Sequence, residues 1–197
     1  MKPHHLILLL STLMLACTSP ADKTKPSRKD SAKTAIEPAP IKLDNVWHED
    51  FLVLQKALAE SDKKGLKEFI DFPIMSVGND IWHLVDVNGT MNIPSGKAKP
   101  FTEADYDKYH PILFTYNLPP AIKRINTEEL FKEKSTTTSE LIDKKGVKTR
   151  LEVKYDPSAD RLTLRLITRN DEWSFTRFYH FNVKDGKIKF QTLVVSG

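Results

Sequence analysis

Few side chains in this sequence stand where their type and spacing would do chemistry, and most of those also have a structural use. Ser61-Asp62-Lys63-Lys64 has the Ser-x-x-Lys spacing of an acylated serine, in which a lysine takes the hydroxyl proton. The same serine stands where a helix needs an N-terminal cap, which would occupy its hydroxyl. Asp86-Val87-Asn88-Gly89 begins like a calcium loop, but the twelfth position, where a bidentate glutamate belongs, is Lys97, so a turn is expected. Asp105, Asp107, Tyr109 and His110 could exchange protons with a substrate, although Tyr109 also follows the apolar stripe of a helix. The other histidines of the body, at 48, 83 and 180, fall on separate segments. No His-Glu-x-x-His, Cys-x-x-Cys, Gly-x-Ser-x-Gly or glycine-rich phosphate loop occurs. No catalytic residue, metal or cofactor is therefore assigned.

Arg177 is the residue that departs from its setting. It interrupts an apolar alternation, between Phe175 and Tyr179, on what reads as the inner face of a strand. A guanidinium buried without partners is costly, so Arg177 is expected to meet a carboxylate from the helices, to snorkel out near the sheet's edge, or to line a wet cavity that would recognise an anion. A pocket is accordingly expected around Arg177 and Tyr179, with Trp173 from the preceding turn and Tyr109 from the helical half.

The elements that would position these residues divide into a helical half and a β-rich half. Asp44 or Asn45 can cap a helix bearing Trp47, Phe51, Leu54 and Leu58 on one face, and Ser61 or Asp62 can cap a second with Leu66, Phe69 and Ile70, ended by Pro73. A hairpin is expected from Ile74–Val77 to Ile81–Val87 around Gly78-Asn79. Thr102 and Asp105 suit a capping box for a helix through Tyr106, Tyr109 and Leu113, which Pro111 should kink or shorten, and Pro119-Pro120 can open another short helix.

From Val147 onward the alternation is clean enough to assign pairs. Asp185-Gly186 as a two-residue turn pairs Val183 with Ile188, Phe181 with Phe190, Tyr179 with Thr192 and Arg177 with Val194. An Asp171-Glu172 turn sets Leu166 against Arg177, Leu164 against Tyr179 and Leu162 against Phe181. A loop at 156–159 sets Val153 against Leu162 and Leu151 against Leu164. All three registers share one apolar face. They predict a four-stranded antiparallel meander with the helices packed on that face, unless a bulge inverts part of it. On the outer face Ile167, Phe178, Leu193 and Val195 would then cluster among basic and threonine side chains, a candidate homodimer interface.

Composition sets the outer limits. In 197 residues, 30 Lys+Arg against 26 Asp+Glu and 40% apolar content suit one α+β domain with a real core and exclude a chain disordered throughout. A formal charge of +4 gives no nucleic-acid footprint, and one cysteine makes no internal disulfide. Residues 1–17 read as a signal peptide: a basic lead, an apolar run from Leu6 to Ala16 too short to span a bilayer, and then Cys17. Leu13-Met14-Leu15-Ala16-Cys17 resembles a bacterial lipobox, with Met14 where that pattern prefers leucine. The resemblance implies a diacylated Cys17 holding the protein on the membrane. Thr18 after the cysteine resembles enteric lipoproteins sorted to the outer membrane, so the expected location is the bacterial envelope, facing the periplasm or the cell surface.

Residues 18–41, with prolines at 20, 26, 38 and 40, six Ser/Thr and no aromatic residue, read as a flexible tether with a reach of roughly 27 Å. Residues 1–41 hold six basic and three acidic groups, so residues 42–197 keep 30 − 6 = 24 basic and 26 − 3 = 23 acidic groups.

Within residues 42–197 the run Phe51 to Pro73 (FLVLQKALAESDKKGLKEFIDFP) resembles the opening of nuclear-transport-factor-2-like domains. The order of helices, short strands, another helix and a long meander is similar too. The resemblance implies a curved sheet wrapped around helices as a cone with an internal pocket, often dimeric through the outer face. That fold carries isomerase- and dehydratase-like enzymes as well as binding modules, so it does not decide function. The expected role is a non-catalytic binding module for a small ligand or an envelope partner. The alternatives are a structural or inhibitory protein-partner module and an isomerase- or hydratase-like pocket enzyme.

Overall fold

The computed structural model describes residues 46–76, 78–114 and 117–197. Cys17, the tether and the Asp44/Asn45 cap lie outside the described residues. Helix α1 (Val46–Glu60) buries the expected stripe of Trp47, Phe51, Leu54 and Leu58, each contributing about 1.5–3 kcal/mol by leaving water. Ser61 takes a left-handed φ of 54° that turns the chain, and Asp62 caps α2 (Lys63–Lys67) by accepting from the Lys64 N–H at 3.1 Å. A Cβ on Gly65 would stand 2.5 Å from the Asp62 carboxylate, so only glycine lets this cap close.

The expected hairpin after Pro73 is not formed. Ile74 instead bridges Phe101, and residues Asp80–Val85 wind into α3. Ile81, Trp82 and Val85 recur at helical spacing and are all buried, whereas a strand would have sent Trp82 to the face opposite its neighbours. Asn79, at φ 59°, starts this helix and staples the following loop. Its amide donates to the carbonyls of Pro94 and Lys97 at 3.0 Å, and its oxygen accepts from the Lys99 N–H at 2.6 Å.

Helix α4 (Glu103–Leu113) carries the expected Thr102/Asp105 capping box. It runs two residues past Pro111 because its freed carbonyl finds another donor. Pro111 cannot bond to the Asp107 carbonyl, and the Lys63 ammonium reaches that oxygen at 2.9 Å and the Asp107 carboxylate at 3.0 Å. Pro119 and Pro120 open α5 (Leu118–Ile122), and Asn126 caps α6 (Thr127–Glu133).

Six strands follow: β1 (Ser135–Thr137), β2 (Leu141–Ile142), β3 (Lys148–Asp156), β4 (Arg161–Arg169), β5 (Ser174–Lys184) and β6 (Lys187–Ser196). They form one curved, unclosed antiparallel sheet in the order β1-β3-β4-β5-β6, with β2 also on β3. The fold class is α+β. The Asp50 carboxylate ties α1 to β6 by accepting from the Ile188 N–H at 2.7 Å.

The β4–β5 register is the one expected, with Leu162, Leu164 and Leu166 opposite Phe181, Tyr179 and Arg177. Between β3 and β4 the expected pairs are two residues out: Val153 faces Leu164 and Leu151 faces Leu166, because the loop is Pro157–Asp160. A slip of two keeps every side chain on its face. Between β5 and β6 the bulge occurs. Val183–Ile188 and Phe181–Phe190 pair as expected, but His180 then faces Thr192 and Gln191 is the extra residue. Tyr179 therefore faces Leu193, and Arg177 faces Val195. Leu193 and Val195, expected outside, lie on the inner face, and Leu193 is fully buried. Val194 takes the outer place beside Phe178.

Candidate functional site

At the end of the inner face where β5 begins, the packed core gives way to an open cavity of about 400 Å³ lined by Asn117, Thr168, Trp173, Ser174, Phe175 and Arg177. The strand pairs bring these together: Thr168 faces Phe175, and Leu166 faces Arg177 one inward step away. The tight β4–β5 turn projects Trp173. Asn170 closes that turn, its side-chain oxygen accepting from the N–H groups of Glu172 and Trp173 at 2.9 Å. Trp173 is 44% exposed, a large apolar ring left at the cavity mouth. The Arg177 guanidinium carbon lies 4.9 Å from the centroid of the Phe175 ring, a cation–π contact that orients the head group.

Of the four residues expected to share a pocket, Arg177 and Trp173 do. Tyr179 is fully buried below them, its hydroxyl donating to the Leu113 carbonyl at 3.1 Å and its ring stacked on Phe114. Tyr109 packs edge-on against Trp82, with Lys108 over its ring, and does not line this cavity. Phe175 shares the alternation of Arg177 on β5, and Thr168 that of Leu166 on β4, so alternation could have placed both here. Asn117, from the short segment before α5, left no such signal.

The acid–base cluster on α4 is committed elsewhere. Asp105 accepts from Thr102, and Asp107 is paired with Lys63 and Lys67. Those ammonium groups hold the Asp107 carboxyl below the usual aspartate range, led by its hydrogen bond to Lys63. His110 is held below the usual histidine value, first by burial and then by Lys63. Ser61 sits in the α1–α2 turn, and both carboxylate oxygens of Asp86 accept backbone N–H groups, from Thr90 and Met91. Among the described residues no three His, Cys, Asp or Glu converge as metal ligands.

Two other cavities are comparable in size. One of about 470 Å³ lies under the loop 93–98 beside Asn79, whose side chain is already engaged by that loop. One of about 410 Å³ lies between Trp47, Tyr155 and the turns at 157–160 and 184–186. Neither combines a fixed cation with open aromatic walls. The Arg177 cavity offers a guanidinium with planar donors, hydroxyls from Thr168 and Ser174, a carboxamide from Asn117 and two aromatic surfaces. Its described lining holds no carboxylate, imidazole or thiol. That chemistry suits hydrogen bonding to an anion and stacking against an apolar body. No family model, curated protein or solved structure matches the chain.

Proposed function

We propose that the chain is a membrane-anchored envelope lipoprotein, held by a lipidated Cys17, whose body is a non-catalytic binding domain for a small anionic ligand. The observation that carries this reading is the Arg177 cavity. A permanently charged group stands over Phe175 beside an exposed Trp173, with neutral hydrogen-bonding groups around it. Guanidinium donors suit a carboxylate, and the two rings suit an apolar body attached to it. We read the curved sheet and its helices as the cone of nuclear-transport-factor-2-like domains, with β3 to β6 as the C-terminal meander and the cavity as the cone's opening.

Titrating the protein with benzoate while following Trp173 fluorescence tests the ligand class. Saturable quenching that benzamide does not give, and that Arg177→Gln weakens at least about tenfold, is expected. Equal responses to benzoate and benzamide would defeat the anion reading. The anchor is tested separately: Cys17→Ser should release the protein from the membrane fraction under a high-salt wash, which the lipidated protein withstands.

A further inference from the structure

The outer face of the sheet carries chemistry that the cavity does not use. Its cross-strand rows are Arg150–Ile167–Thr176–Ser196, Glu152–Arg165–Phe178–Val194, Lys154–Thr163–His180–Thr192 and Asp156–Arg161–Asn182–Lys189. Lys148, Arg169 and Ser174 form a further row at one end, where Arg169 is already paired with Glu140. The acidic groups across β3 to β5 are Glu152 and Asp156, and both have local work. Glu152 accepts from Arg150 and Arg165 at 2.9 Å each, and Asp156 accepts from Ser158. Arg161 and Lys154 are exposed and belong to no ion pair among the described residues. The body is nearly neutral as a whole, so this face concentrates positive charge that the rest of the domain offsets.

We propose that the outer face rests on an anionic phospholipid surface, with its arginines and lysines on the headgroup phosphates. Three observations select this occupant. A second copy of the chain would set these basic rows against one another, a like-charge contact. A single-stranded nucleic acid needs open aromatic faces, but Phe178 is covered by the Arg165 guanidinium at 5.6 Å and stacks on His180 at 6.2 Å. A protein partner anchors in pockets, and none of the cavities described above is lined by Ile167, Phe178 or Val194, the apolar centre of this face. A diffuse basic face with a small apolar centre at Ile167, Phe178 and Val194 suits a fluid, negatively charged layer. The tether bears the same sign, with Lys23, Lys25, Arg28, Lys29 and Lys33 against Asp22, Asp30 and Glu37.

The test uses the full-length, unlipidated Cys17→Ser chain, so that no acyl anchor enters the result, and is repeated with Arg177→Gln added, so that the Arg177 cavity does not enter it either. Co-sedimentation is measured with phosphatidylcholine vesicles with and without phosphatidylglycerol. Binding only to the anionic vesicles, and its loss at high salt, is expected. The double variant Arg161→Glu/Lys154→Glu should lower binding by at least about tenfold, since each basic group near the surface contributes roughly fivefold. Arg161→Gln/Lys154→Gln, a milder pair at the same exposed sites, should lower it less, and circular dichroism of both verifies the fold. Equal binding to neutral vesicles, binding abolished by Lys23→Glu/Lys25→Glu but untouched by the face variants, or tighter binding to a single-stranded oligonucleotide would each overturn the proposal.

Discussion

The two faces of the sheet are made by the same strands and follow opposite rules. Inward, Leu151, Val153, Leu162, Leu164, Leu166, Tyr179, Phe181 and Leu193 are withdrawn from water, and the helices close over them. Outward, the side chains between them are arginine, lysine, threonine and glutamate, with a few half-buried apolar groups. The inner face holds the fold together and ends at β5 in a cavity. The outer face contributes little to stability and is therefore free to carry charge. The bulge at Gln191 keeps the two apart along β6, because without it Leu193 would face water and Val194 the core. Adjacent aspartates give the sharpest test of this division. Leu193→Asp places a carboxylate in the dry interior and should cost about 4 kcal/mol or more, enough to unfold much of the population. Val194→Asp, one residue on, should change the unfolding free energy from urea titration by no more than about 0.5 kcal/mol. Equal effects would mean that β6 has no bulge.

A second pair compares the faces within β5. Phe181 is fully buried edge-on to Phe190, and Phe181→Ala should lose about 3–5 kcal/mol. Phe178 is only half-buried beneath Arg165, and Phe178→Ala should lose about 1 kcal/mol. A smaller contrast concerns polar pairs. Tyr179→Phe removes the hydroxyl that satisfies the buried Leu113 carbonyl and should cost about 1–3 kcal/mol. Glu152→Gln breaks two exposed ion pairs and should cost less than about 1 kcal/mol. Denaturant unfolding monitored by circular dichroism measures all four.

How far such contrasts were legible in the sequence depended on the period of each segment. The α1 stripe and the β4–β5 pairing follow from spacing alone, since a three- to four-residue recurrence or a strict alternation leaves one arrangement that buries the apolar groups. Ile81 to Val85 misled because a short apolar run fits either period, and Asn79, which settles it, acts through backbone carbonyl and N–H groups fifteen to twenty residues away. The segment of α6 and β1 carries few apolar residues to read. Its order comes from polar contacts such as the Thr136 hydroxyl on the Glu129 carboxylate at 2.8 Å. The bulge left no composition signal, so half of the expected outer patch belonged to the other face. At the site, Arg177 was visible as an exception to alternation, whereas Tyr109 and Asn117 needed the packing of α4 and α5.

The smallest effect expected is a pH dependence that joins the helical side to the outer face. His48 stacks on Phe131 with ring centroids 3.9 Å apart, and its pKa is lowered, first by burial and then by Lys134. His180 lies on the outer face against Phe178, lowered by burial and then by Arg161. His110 is lowered in the same direction. The unfolded chain takes up these protons at about pH 6.5, before the folded one does. Stability from the neutral rings is thus fully present above that value and is lost as pH falls through the lower folded values. Urea midpoints should decline between pH 7 and about pH 5, a window above the range in which ordinary carboxylates titrate. His48→Phe keeps the stack on Phe131 and removes the ionisable nitrogen, so it should flatten part of the decline, and His180→Phe should flatten another part. If Phe at 180 flattens the slope and Phe at 48 leaves it unchanged, the outer face carries the acid sensitivity; the reverse would place it where α1 meets α6.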